Sequence, residues 1–332
     1  MREARSKAGG MTKVHPFFAG CIALSLLAGC VGSAPPPEYP RGPAPPAFPF
    51  VFAVAGNAAP SDGGGAADAV WKAMASDRPA FVLVPGNAIG TGAPEAAWEA
   101  FDGRAAPLVE SGAAVFPAPG PLDLAAGDTD RLRSWGARFP WAAKRSWYSV
   151  RVRNVLIVAL DTNGEALGRA RKAQEDWLER ELASASREAG VNFVFVLLPR
   201  GPVSNGPARP RDVSLERLAA LLASCPKARV VFSGVEGAYQ RIRHADRWWI
   251  TTGGGGGPRT EVFPEPERRR FLDAFEGGRI RPFHYVRVRV EETRFTLEML
   301  ALDERTGAFA PADRLEEGKA VPLQAESGGE GR

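Results

Sequence analysis

Arg229-Val230-Val231-Phe232-Ser233-Gly234-Val235-Glu236-Gly237-Ala238-Tyr239-Gln240-Arg241 reads as a buried strand, Arg229 to Ser233, that stops at a glycine and passes into a polar turn. Four other apolar runs stop in the same way. Phe50 to Ala55 gives way to Gly56-Asn57-Ala58-Ala59, and Phe81 to Val84 to Pro85-Gly86-Asn87-Ala88-Ile89. Ala113 to Phe116 leads to Ala118-Pro119-Gly120-Pro121-Leu122-Asp123, and Asn192 to Leu198 stops at Pro199. Helical stretches separate these runs, over 66–76, Pro94–Glu110, Ala166–Glu188 and Leu215–Ser224. Strand and helix in alternation predict an α/β domain. Trp147–Val152 and Val155–Leu160 form a hairpin about Arg153-Asn154, and His284–Val290 and Arg294–Leu302 form another about Glu291-Glu292-Thr293. Trp248–Thr251 is a strand that runs into Gly253–Gly257, read as a flexible loop. Arg241 to Asp246 reads as a polar turn.

The chain of 332 residues is 45% hydrophobic and 24% charged, a globular composition. Its three Cys cannot build a disulfide framework, and no Cys/His cluster has zinc spacing. Three His leave little for imidazole chemistry. Arg2, Arg5, Lys7 and Lys13 precede the apolar run Phe17–Leu27, too short to span a bilayer and typical of a signal peptide. Leu27-Ala28-Gly29-Cys30 resembles a bacterial lipobox, which implies cleavage after residue 29 and a lipid on Cys30. That cleavage removes four basic side chains and one acid, so the formal charge falls from +4 to +1. A nearly neutral mature chain gives no support to nucleic-acid binding. The expected organisation is a signal peptide over 1–29, a proline-rich tether over 30–49, the folded domain over 50–303 and a flexible tail over 304–332. Of the His outside the signal, His244 and His284 are expected to be solvated or at a strand edge.

In open α/β sheets, functional side chains collect beyond the carboxyl ends of the strands. The order and spacing of the five ends, with Asp161-Thr162-Asn163 and Gln174-x-x-Trp177-Leu178 between them, resemble the calcineurin-like metallophosphoesterases, most closely the purple-acid-phosphatase-like branch. Gly56, Gly86, Gly120, Pro199, Gly234, Tyr239 and Arg241 match the motif scaffolding. The resemblance covers roughly Phe50 to Leu302 and implies a four-layer sandwich of two mixed β-sheets flanked by helices.

It also implies that the family's metal ligands are missing. At the ligand positions stand Asn57, Asn87, Pro121, Leu197, Val235 and Gly237, and at the position of the general-acid His stands Leu122. Asn is a weak neutral ligand, and the others offer no ligating side chain. The expectation is therefore no bound metal, no cofactor and no catalytic residue, in a non-catalytic binding or scaffold protein. An active phosphoesterase with a rebuilt metal site is the alternative. Asp123, Arg200, Asn205, Glu236, Tyr239 and Arg241 flank the strand ends and are the candidate contacts for a ligand. The expected partners are a membrane, through lipid on Cys30, and an unidentified envelope protein or ligand. Val31, where an Asp often retains lipoproteins in the inner membrane, favours the outer membrane facing the periplasm.

Overall fold

The computed structural model describes residues 38–60, 64–91, 93–124, 129–163, 170–207 and 214–318. The signal peptide and Cys30 lie outside the described residues, as do 319–332. Two six-stranded sheets form the centre of the domain. The first has the order β12-β11-β10-β1-β2-β3, from β1 (Phe50–Val54), β2 (Phe81–Pro85), β3 (Ala114–Ala118), β10 (His284–Val290), β11 (Arg294–Leu302) and β12 (Phe309–Gly318). The second has the order β4-β5-β6-β7-β9-β8, from β4 (Tyr148–Val152), β5 (Val155–Ala159), β6 (Phe193–Leu198), β7 (Ala228–Ser233), β8 (Tyr239–His244) and β9 (Arg247–Thr252). Both sheets are mixed: β1 pairs parallel with β2 and antiparallel with β10, and β5, β6, β7 and β9 run parallel between antiparallel edges.

The residue pattern dictates the layers. β6 is apolar throughout because both its faces are covered. Phe193, Phe195 and Leu197 point into the core shared by the two sheets, whereas Val194, Val196 and Leu198 meet the helices outside. Phe195 packs edge-on against Phe52 of β1 at 5.1 Å and against Phe295 of β11 at 5.1 Å, which joins the sheets face to face. α1 (Gly65–Ser76), α2 (Pro94–Glu110) and α3 (Thr129–Arg138) belong to the layer outside the first sheet, where Val70, Trp71, Met74, Trp98 and Trp135 are buried. α4 (Ala170–Arg187) and α5 (Leu215–Ala223) cover the second sheet through Trp177, Leu178, Leu182 and Leu222. The result is the expected four-layer α/β sandwich.

Four expectations are corrected. The tail expected to be flexible from 304 contains β12, which pairs antiparallel with β11 and is held to the second sheet by charge. Asp313 accepts two bonds from the Arg241 guanidinium, at 2.7 and 3.0 Å, and one from the Tyr239 hydroxyl at 2.8 Å. Glu317 accepts from Arg229, from Arg243 at 3.1 Å and from Trp248 Nε1 at 2.6 Å. At the other end, Tyr39 of the expected tether is 3% exposed, with its ring 4.9 Å from Phe139 and its hydroxyl 2.7 Å from Asp102. The domain therefore extends past 50–303 in both directions. The supposed polar turn after Tyr239 is β8, paired with β9 across Ala245-Asp246, whose φ angles of 48° and 57° suit a tight hairpin turn. His284 is fully buried within β10 rather than at a solvated edge.

Candidate functional site

The ends of β1, β2, β3, β6 and β7 converge, as the strand-end rule requires. Gly56 after β1 meets Gly234 after β7 so closely that a Cβ on Gly56 would lie 2.5 Å from the Gly234 Cα, so the two sheets touch there through backbone alone. Asn57 and Asn87 both adopt left-handed backbone, with φ of 51° in each, and both are buried. Such conformations are costly for residues other than glycine and persist where surrounding bonds impose them. Here the Asn57 amide donates to the Gly86 carbonyl at 3.0 Å and the Ala58 amide to the Asn87 carbonyl at 2.9 Å, which ties the two turns together.

Both asparagine side chains close loops. Asn57 Nδ2 donates to the Pro258 carbonyl at 3.0 Å, and its own carbonyl accepts from the Gly257 amide at 2.7 Å. Gly253–Gly257, expected to be a flexible loop, is buried against the β1 turn, with the Gly255 amide bonded to the Gly56 carbonyl at 3.0 Å. Asn87 Oδ1 accepts from the Leu122 amide at 3.3 Å. Asp123 is fully buried, and its carboxylate accepts from the Ile89 amide at 3.0 Å and the Gly120 amide at 2.7 Å, so it fastens the β2 turn to the β3 turn. Burial pushes the Asp123 carboxyl up to about 6 against the opposing pull of those amide bonds. Pro121, Leu122 and Val235 are half-buried, Leu197 faces the core, and the Gly237 amide donates to Thr260 Oγ1 at 3.2 Å.

The six candidate ligand contacts separate into two groups. Asp123 holds turns together, Tyr239 and Arg241 are bonded to Asp313, and Asn205 fixes the chain at 270–271, its Oδ1 accepting from the Arg270 and Phe271 amides at 2.8 and 2.9 Å. Arg200 and Glu236 instead line a pocket of about 100 Å³ at the ends of β6 and β7, with Pro199, Gly201, Ser233, Val235 and Thr260. Glu236 Oε2 accepts from Ser204 Oγ and from Gln240 Nε2, the latter at 3.2 Å, while Oε1 is closed from solvent without a partner among the described residues. Burial pushes this carboxyl above its ordinary range. Sequence reasoning missed Thr260, which lines the pocket from a distant segment, and Ser204 and Gln240, which hold the Glu236 carboxyl. Ser233 was readable as the last residue of its strand.

The two histidines lie apart from this pocket. His284 Nδ1 donates to the Pro282 carbonyl at 2.9 Å, its ring stands edge-on to Tyr239 at 5.2 Å, and Nε2 has no partner among the described residues. Burial pushes it down to about 4, so it is neutral at physiological pH. The ring of His244 packs against Phe271. Among the described residues, no group of three or more His, Cys, Asp or Glu side chains converges as a metal site would require.

The architecture matches solved structures across most of the chain. GAP50, the anchor in the inner membrane complex of Plasmodium, aligns with a TM-score of 0.59 at 15% identity, over 82% of this chain and 89% of that one. PhoD aligns at 0.54 and 14% identity over 84% and 72% of the two chains, and a dimetal phosphatase from Danio rerio at 0.51 and 12% identity over 82% and 100%. The chain has the calcineurin-like metallophosphoesterase fold. No family model matches its sequence, and no curated protein does. Within the metallophosphoesterase fold, Asp161 holds the turn after β5: its amide donates to Gln174 Oε1 at 2.8 Å, its carbonyl accepts from Gln174 Nε2 at 2.9 Å, and Asn163 Nδ2 reaches the Pro119 carbonyl at 2.6 Å. These bonds give a structural role to the intermediate segments that carried part of the resemblance.

Proposed function

We propose that this chain is a lipid-anchored envelope protein whose metallophosphoesterase-like domain has lost its metal ligands and acts as a non-catalytic binding or scaffold protein. The observation that carries this reading is the engagement of both asparagines at the β1 and β2 ends. Asn57 and Asn87 are buried and bonded into neighbouring loops, and Asp123 at the β3 turn is held by backbone amides. Such a donor set does not fit two divalent cations. Two doubly charged ions a few ångströms apart repel by many kcal/mol even at an effective dielectric of about 20, and anionic ligands are what offset this. Leu122 cannot protonate a leaving group. The described function of GAP50 as an anchor supports a scaffold role for a domain of this shape.

The experiment is metal analysis of the purified protein by mass spectrometry, with turnover of an aryl phosphate and an aryl phosphodiester in added manganese, zinc or iron. The expected result is substoichiometric metal and no turnover. Stoichiometric metal with turnover that is lost in Asn87→Ala would overturn the reading in favour of a rebuilt phosphoesterase site. The lipid on Cys30 and the placement at the periplasmic face of the outer membrane belong to the same proposal. They are checked by palmitate labelling and by membrane fractionation of the parent and Cys30→Ser.

A further inference from the structure

The pocket at the ends of β6 and β7 has more hydrogen-bond donors than its own residues satisfy. The Arg200 backbone is pinned, its amide donating to Thr162 Oγ1 at 3.0 Å and its carbonyl accepting from the same hydroxyl at 3.3 Å. Its guanidinium has neither an acid nor a carbonyl partner among the described residues. Thr260 Oγ1 accepts from the Gly237 amide, which leaves its hydrogen to donate elsewhere, and the Ser233 hydroxyl has only a loose contact of 3.4 Å with Thr251. The one carboxylate in the lining, Glu236, is already engaged: Oε2 serves Ser204 and Gln240, and a Cβ placed on Gly206 would fall 1.3 Å from Oε1, so the carboxyl lies close over the glycine backbone.

We propose that this pocket binds a carboxylate group, with Arg200 as its ion-pair partner and the Ser233 and Thr260 hydroxyls as further donors. The inference rests on the reading of the domain as a non-catalytic binding protein and names the ligand class of that site. A planar carboxylate matches the guanidinium fork with two parallel bonds. A phosphoryl dianion fits less well, because a single guanidinium leaves its second charge unbalanced beside Glu236. A monoanion meets less opposition there, since burial favours the neutral form of Glu236. The volume of about 100 Å³ takes a small acid or the end of a chain. The pinned Arg200 backbone lowers the ordering cost of binding.

The test is calorimetric titration of the purified full chain with four probes: succinate, inorganic phosphate, a pentapeptide with a free carboxyl terminus, and the same peptide amidated. The expected result is saturable binding of a carboxylate more tightly than of phosphate, with the free-acid peptide at least tenfold tighter than its amide if the source is a chain terminus. Succinate binding with no peptide binding supports a small free acid instead. Arg200→Gln should weaken binding tenfold or more and Thr260→Val about threefold. If Arg200→Gln does not fold, Thr260→Val and the comparison of acid with amide decide the outcome. Carboxylate binding that is unchanged in both variants, phosphate binding tighter than every carboxylate, or the absence of carboxylate binding overturns the inference. The turnover assay is independent: absent carboxylate binding with absent turnover sinks this inference alone, whereas turnover with bound metal sinks the non-catalytic reading alone.

Discussion

Asp123 and His284 are two fully buried titratable groups whose charged forms the fold disfavours, and they act on stability in opposite directions. The Asp123 carboxyl is raised from 3.8 to about 6, so between those values the native state holds a proton that the unfolded chain has released, and its contribution is lost as pH rises. His284 is depressed from 6.5 to about 4, so there the unfolded chain holds the extra proton, and its contribution is lost as pH falls. Each amounts to about 3 kcal/mol at full extent, at 1.36 kcal/mol per unit. In denaturant titrations at a series of pH values these two contributions oppose each other from about 4 to about 6, beside those of Asp161, Glu236 and Asp273, which burial also raises, so the variants are read against the parent. Asp123→Asn should expose a loss of stability on acidification, and His284→Asn a loss on alkalinisation. Parent-like profiles in both variants would show that neither burial controls titration. The strand-end rule made Asn57, Asn87, Arg200 and Glu236 legible in the sequence. Spacing carried no sign of the burial of His284, because what encloses it is the packed glycine run, with the Gly254 carbonyl accepting from its amide at 3.0 Å.

Pattern was a good guide to elements that bury apolar side chains and a poor one to elements held by charge. α2 was expected at Pro94–Glu110 and is found there, because Trp98, Phe101, Ala105 and Leu108 set its inner face and proline opens it. β12 was missed because Phe-Ala-Pro-Ala-Asp-Arg-Leu-Glu-Glu-Gly buries only Leu315, and its binding partners on β7, β8 and β9 lie about 70 to 90 positions away. The Arg241–Asp313 pair is mostly enclosed, with side-chain exposures of 14% and 9%, so removing one partner leaves the other charge poorly compensated. Asp313→Ala should therefore cost about 3 kcal/mol in equilibrium denaturation, and a cost below about 0.5 kcal/mol would show that β12 adds little to the sandwich. Tyr39 is the counterpart at the other end. Tyr39→Ala empties an aromatic site formed by Phe101 and Phe139 and should cost about 3 kcal/mol. Tyr39→Phe keeps the ring and loses only the bond to Asp102, which Arg138 still pairs at 2.8 Å, so about 1 kcal/mol is expected.

At the scale of the whole molecule, with lipid on Cys30 as proposed, the seating of Tyr39 would set how far the domain can stand from a membrane. Cys30 precedes Tyr39 by nine residues, which reach about 30 Å when fully extended. Released from its site, the chain would next be held at Phe48, which lies 5.7 Å from Phe50 and beneath the Arg153 guanidinium. That doubles the contour to eighteen residues, about 60 Å. A proline-rich segment is stiff, so much of this difference should survive in the mean separation. With lipid on Cys30 as proposed, neutron reflectometry of the protein on a supported bilayer should place the near edge of the protein layer within about 30 Å of the headgroups. Tyr39→Ala, folded at the temperature of measurement, should move that edge outward and broaden it, whereas Tyr39→Phe should leave it in place. An unchanged profile in Tyr39→Ala would mean that the aromatic seat does not govern standoff, and Cys30→Ser should bind no bilayer at all.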